Sequence, residues 1–416
     1  MLGDILFVLA VIIIAFATYY IISAITNQSE SFANANEEFK KDPEYSAQVK
    51  LLTDKYSSVG DAKRPLDPKD IPENQQCLVN FYALGCRFAG YMGPMSNGYF
   101  DPDIAVQYAV KAGCRVFVLE IDYIADCDKK YFPRIVVRDV QNKFMIKYNS
   151  SQPMCNTMDQ STIRDVCEKI NYYAFNAQNA SDPVIIVLYF LRQPPGSYKS
   201  KDVLDYYSNV AKCLSPFKNR LLTNELEGGT YYRQKNEGQL LMNNIKTYNN
   251  KVLIFSNANT SGFRDTQYDP SEDLDFLTNL RLSYTQTKLG VSDNSSGTSF
   301  GILETAEDFM NIPDDRADTA IEGTKLKWTI CLASDPSIPV PKDTYTKITT
   351  KFGVHCVPAV IFNPASDYLQ DDKLFKTHSF IEKPEPLRYV PPPVVVPGEP
   401  NPIMNANGGK LLGPTI

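Results

Sequence analysis

From residue 77 to about residue 390, short continuous apolar runs alternate with segments of helical periodicity, and this pattern constrains the chain most. The runs are "CLVNFYAL" (77–84), "RVFVLEIDY" (115–123), "RIVV" (134–137), "PVIIVLYF" (183–190), "KVLIFS" (251–256), "LKWTICLA" (326–333) and "CVPAVIF" (356–362). They are rich in Val and Ile and lack the apolar–polar alternation of a strand with one wet face, as expected of parallel strands covered on both sides. Between them, "DPDIAVQYAVKAG" (101–113) offers Asp101 as N-cap, Pro102 at the first helical position and Gly113 just past the end. Residues 160–175 and 199–214 also carry helical spacing. Seven or eight strands in βα alternation over about 310 residues predict an α/β fold, a (β/α)8 barrel in size and order. A doubly wound open sheet is the second choice, but no Gly-rich phosphate turn follows the first run.

The two ends differ from this middle. Residues 5–26, "ILFVLAVIIIAFATYYIISAIT", carry no charge. As a helix they would reach about 33 Å, enough to cross a hydrocarbon core of about 30 Å. The leader "MLGD" has an acid and no Lys or Arg, and the run is too long for a signal peptide, so residues 1–26 are expected to be a transmembrane anchor. Lys40 and Lys41 on its C-terminal side lean the large domain toward the cytosol. Residues 27–76 are polar and read as a tether with one short helix. At the other end, "VPPPVVVPGEPNPIMNANGGKLLGPTI" (390–416) holds seven prolines and no apolar period. Residues 391–416 are therefore expected to form an extended polyproline-type tail.

Composition narrows the function classes. A net charge of −6, with no dense Lys/Arg run, argues against nucleic acid as a partner. Nine cysteines stand singly with no C-x-x-C pair, which reads as buried free thiols in a reducing compartment, one or two disulfides being the alternative. Glu120 and Asp122 end the second run one residue apart, so strand geometry puts both carboxylates on one face. A metal or a general acid/base pair would suit that place. Yet the chain has only two histidines, His355 and His378, both far downstream, and no zinc spacing, nucleophile elbow or P-loop.

Five segments in order carry a resemblance. "GCR" (113–115) leading to Glu120-x-Asp122, "VCEKINYYAF" (166–175) leading to "SDPVIIVLYF" (181–190), "NNKVLIFSN" (249–257), "FGVHCVPAVIFNPASD" (352–367) and "SFIEKPEPLR" (379–388) resemble the phosphoinositide-specific phospholipases C. The resemblance covers residues 77–390, the X and Y halves of that family's barrel, and implies a distorted TIM barrel. Family chemistry uses two histidines as general base and acid and a calcium ion held by oxygen ligands. At the first histidine position this chain offers Arg87 or Phe88 in "LGCRFAGY" (84–91), and at the second Arg138 in "IVVRDV" (135–140). Tyr189 stands at a calcium-ligand position, and Asn257 and Asn259 stand where the family has phosphate-binding lysines.

Arginine cannot act as the base, because it stays protonated in proteins. Two carboxylates alone make a poor calcium site. The resemblance thus implies a pseudoenzyme without metal or cofactor, whose remnant Glu120 and Asp122 form buried ion pairs with Arg87, Arg115 or Arg138. The leading expectation is a membrane-anchored, catalytically inactive structural module, with barrel loops and residues 390–416 contacting other structural proteins. Its architecture suggests a minor capsid protein of a large DNA virus, between an inner virion membrane and the capsid. A second expectation is a phosphoinositide headgroup binder using Arg87 and Arg138. The third is an active phosphodiesterase with relocated residues.

Overall fold

The computed structural model describes Thr18 and residues 40–59, 63–124, 133–139, 141, 160–222, 238–284, 299–336, 338–363 and 374–392. The longer helices are α1 (Pro43–Tyr56), α2 (Pro102–Ala112), α3 (Gln160–Ala174), α4 (Lys201–Cys213), α5 (Ala317–Leu326) and α6 (Lys342–Thr350). The first strands are β1 (Phe81–Ala83), β2 (Gly85–Arg87), β3 (Tyr91–Gly93), β4 (Tyr99–Phe100), β5 (Val116–Asp122) and β6 (Arg134–Ile135). They are followed by β7 (Val184–Phe190), β8 (Val252–Ser256), β9 (Leu280–Tyr284), β10 (Gly301–Thr305), β11 (Trp328–Leu332) and β12 (Phe380–Glu382).

Seven strands pair in parallel in the order β11-β10-β9-β8-β7-β5-β2. The sheet curls, and its two faces bury separate clusters. Val116, Val118, Ile185, Val187, Leu253, Phe255, Trp328 and Ile330 pack together on the concave side. Phe117, Leu119, Ile121, Ile186, Leu188 and Ile254 face outward, onto Val106 of α2, Ile163 and Ile170 of α3, and Val210 of α4. Burial on both faces explains the unbroken apolar runs, each fully buried side chain contributing about 1.5–3 kcal/mol.

Residues 356–359 join the two edges of the curl. Cys331 N–H donates to Cys356 O at 2.9 Å on the β11 side, while Arg87 N–H donates to Ala359 O at 2.8 Å on the β2 side. Gly85 makes this seam possible, since a Cβ there would fall 2.6 Å from Cys356 Sγ. The result is a mixed α/β fold with a curled parallel sheet, consistent with the expected barrel.

Local signals hold well for α2. Asp101 Oδ1 accepts from the N–H groups of Asp103 and Ile104, and Gly113 closes the helix at φ +101°. Other expectations are corrected. The run 77–84 begins as a helical turn at Leu78–Asn80 before β1, and β1 pairs antiparallel with β12 outside the main sheet. "RIVV" supplies only β6, antiparallel to the end of β5 (Ile121↔Ile135, Asp122↔Arg134). "CVPAVIF" forms isolated bridges rather than a strand. β9 and β10 were not foreseen.

Within the stretch expected as a tether, α1 is docked on the domain. Leu52 is fully buried, and Tyr45 Oη donates to Asp101 Oδ2 at 2.6 Å. Of the nine cysteines, seven are described, all buried thiols; Cys127 and Cys155 lie outside the described residues. So do residues 5–26, apart from Thr18, and the tail beyond residue 392. Among the described residues no helix is long and apolar enough to cross a membrane.

Candidate functional site

Side chains at alternate positions of β5 share the concave face, so Glu120 and Asp122 continue the row begun by Val116 and Val118. They stand at the C-terminal end of the strand, the end at which a parallel βα barrel carries its site. Arg87 pairs in register with Val118, and Glu120 lies two residues further along, about 7 Å, within reach of a long side chain. Arg87 Nε accordingly donates to Glu120 Oε1 at 2.5 Å, and its Nη1 donates to Ala333 O, just past β11, at 2.7 Å. The guanidinium thus crosses the mouth from β2 to β5 and β11. Both partners are almost wholly buried, Arg87 at 7% and Glu120 at 4% exposure.

Asp122 is fully buried and gathers two more guanidiniums. Arg192, two residues past β7, grips it with a two-pronged fork: Nε to Oδ1 at 2.7 Å and Nη2 to Oδ2 at 2.6 Å. Arg138 forms an ion pair with the same carboxylate through Nη2. Behind this cluster, burial and the Asp122 charge push the Tyr206 hydroxyl well above its usual value, so that it stays neutral.

The mouth therefore brings together Arg87, Glu120, Asp122 and Arg138, all singled out from the sequence. Tyr189 joins them as the register partner of Glu120 on β7. Arg115 does not belong there. It lies before β5, at the opposite end of the sheet, where its guanidinium donates to Ala174 O, Asn179 O and Asn179 Oδ1 at 2.6–2.7 Å. It thereby caps the C-terminus of α3, and burial pushes it down to about 10. Asn257 is committed to the backbone, accepting from Phe190 N–H at 2.8 Å and donating to Phe190 O at 2.9 Å. Asn259 Oδ1 accepts from the Ser261 hydroxyl at 2.7 Å. Arg192 was missed; its signal is a lone arginine two residues beyond a buried strand, on the side where the ion pairs gather.

His355 sits far from these groups, at the start of β11. Its ring stacks on Trp328 with centroids 4.6 Å apart. Thr329 N–H donates to its Nδ1 at 3.0 Å, so in the neutral ring Nε2 carries the proton. Val79 O and Lys383 Nζ both lie 2.8 Å from Nε2. A proton on Nε2 leaves Lys383 to act as an acceptor, which requires a neutral amine. Burial indeed pushes the Lys383 amine well below its usual value, with Lys325 adding to the effect. His378 lies in the connection before β12, its Nδ1 2.8 Å from the Thr377 hydroxyl.

Chemically, the mouth holds two carboxylates that accept from guanidinium donors, Glu120 through Oε1 and Asp122 through both oxygens. Among the described residues no group of three or more His, Cys, Asp or Glu is placed to hold a metal ion.

No protein-family model matches the chain, and no curated protein does. Among solved structures the chain is similar to L. pealei PLC21 at 14% identity and a TM-score of 0.49, over 76% of this chain and 38% of that one. It is similar to a calcium-dependent phosphoinositol-specific phospholipase C from Pseudomonas sp at 11% identity and a TM-score of 0.45, over 76% and 98%. A Ca2+-dependent phosphatidylinositol-specific phospholipase C from Streptomyces antibioticus gives 10% identity and a TM-score of 0.43, over 74% and 99%. The chain thus spans about two fifths of the length of PLC21. The fold rests on its own strand order and register, described above.

Proposed function

We propose that this chain is a phospholipase C-type barrel without catalysis, serving as a membrane-anchored spacer. The observation that carries the reading is the commitment of Glu120 to Arg87 and of Asp122 to Arg138 and Arg192. A calcium ion needs six to eight oxygens, and a general base needs a lone pair open to the proton it abstracts. Carboxylates held by guanidiniums offer neither. Their role is to fasten three βα units at the mouth.

The charge-free run at 5–26 and the proline-rich residues 390–416 lie at opposite ends of the chain. That arrangement supports a bridge between an inner virion membrane and a capsid, with the module acting as a minor capsid protein. Incubation of the full-length chain with phosphatidylinositol vesicles and calcium is expected to release no inositol phosphate. Turnover would establish instead an enzyme with relocated groups. Cross-linking mass spectrometry on the native membrane or particle tests the bridge: cross-links from the barrel and residues 390–416 to coat proteins are expected, and cross-links confined to its own copies would refute it.

One observation favours a second reading, a phosphoinositide headgroup binder. Three guanidiniums stand against two carboxylates at the mouth, and the Arg192 side chain is 40% exposed there. Under that reading, replacing Arg87 and Arg138 by Ala abolishes binding to phosphoinositide vesicles, whereas the spacer reading leaves vesicle binding unchanged.

A further inference from the structure

On the outer side of the sheet, beside the end of α1, lies a cavity of about 170 Å³. Its walls are mainly apolar: Tyr56, Leu84, Ala112, Ile361 and Phe375. One buried amine faces them. Lys63 is 4% exposed, and its Nζ donates to Phe375 O at 2.5 Å. Its stem occupies space that a side chain at residue 113 would fill, since a Cβ on Gly113 would lie 2.5 Å from Lys63 Cε. The glycine that closes α2 therefore also seats the lysine. The exposed Lys376 forms part of the rim, giving the cavity a route to solvent.

We propose that this cavity is a covalent binding site for a small apolar aldehyde, which Lys63 captures as an imine. Size sets the ligand class: the volume is close to the roughly 150 Å³ of an engineered apolar cavity that takes up benzene. The neutral amine attacks the carbonyl carbon and forms the C–N bond, while the C=O π electrons move to oxygen, which takes up a proton. The carbinolamine then expels that oxygen as water, and the nitrogen lone pair forms C=N. Amine and aldehyde become imine and water, with no oxidant or reductant. An amine desolvated by apolar walls suits this chemistry. Burial pushes Lys63 down to about 8, with Cys114 nearby opposing the shift. At pH 8 about half of Lys63 is then neutral, against about 1 in 300 of a lysine at the usual 10.5.

The test is reductive trapping on the full-length chain, with benzaldehyde and sodium cyanoborohydride at pH 8 and the labelled lysines mapped by peptide mass spectrometry. Lys63 is expected to be benzylated at least ten-fold faster than the exposed Lys50, Lys218 and Lys246, with a rate inflection near pH 8. Ala112→Leu fills the cavity and leaves the amine in place; it should slow labelling of Lys63 ten-fold and leave the exposed lysines unchanged. Labelling of Lys63 no faster than at the exposed lysines overturns the proposal, as does an unchanged rate in a folded A112L. If A112L loses its unfolding transition, the wild-type rate ratio and inflection decide alone. The site shares no residue with the mouth, so its failure would leave the spacer reading standing.

Discussion

Replacing Arg87 by Met keeps most of the aliphatic stem and removes the guanidinium, which isolates the charge that holds Glu120. The variant loses the bonds to Glu120 Oε1 and Ala333 O and leaves a carboxylate at 4% exposure uncompensated. Breaking a buried pair from one side costs about 3–5 kcal/mol, a large share of a total near 5–15 kcal/mol. Removing both charges, in Arg87→Met with Glu120→Leu, should recover most of that loss, because the desolvation cost goes with the charges. Urea unfolding followed by circular dichroism reads both quantities. A loss under about 1 kcal/mol in R87M, or a double variant no better than the single, would refute the idea that this pair fastens the mouth.

Lys383 offers a pH test. Burial holds its folded value well below the unfolded one, so between the two the unfolded state binds more protons and stability rises with pH up to about 10.4. Lys383→Met removes that slope; the stability of wild type relative to K383M should grow between pH 7 and 10, and a flat difference in urea midpoints would contradict it. Gly85→Ala places a methyl 2.6 Å from Cys356 Sγ and 3.2 Å from Val116 O at the seam, for an expected loss of about 1–3 kcal/mol. Thermal unfolding measures it, and Cys356→Ala in the same chain should return part of the loss.

The strands legible in the sequence are those buried on both faces. β5 and β7 are seven-residue runs with every position buried. β9 and β10 escaped for the opposite reason. In "LRLSY" Leu280 and Leu282 point into the concave core, while Arg281 turns outward to Asp275 at 2.6 Å. In β10, Ile302 and Glu304 are half-buried and alternate with buried neighbours. The residues at the mouth followed from strand parity and from the family resemblance, which placed Arg87, Glu120, Asp122 and Arg138 together. Which arginine meets which carboxylate depends on register, and sequence parity is silent on that. Arg115 shows the limit: it belongs to the same apolar run, but it lies at the other end of the strand and caps α3.

The pairing of β1 with β12 has a mechanical consequence. Phe81 lies opposite Glu382 and Ala83 opposite Phe380, so the entry of one strand sits beside the exit of the other. Asn80 stitches the same corner, donating to Tyr389 O at 2.9 Å and accepting from Tyr389 N–H at 2.6 Å. A pulling force entering at Asn80 and leaving at Tyr389 meets these bonds one after another, as a zipper does. The parallel sheet lies off the line of tension, so under load the chain would yield at this corner while the sheet stays whole.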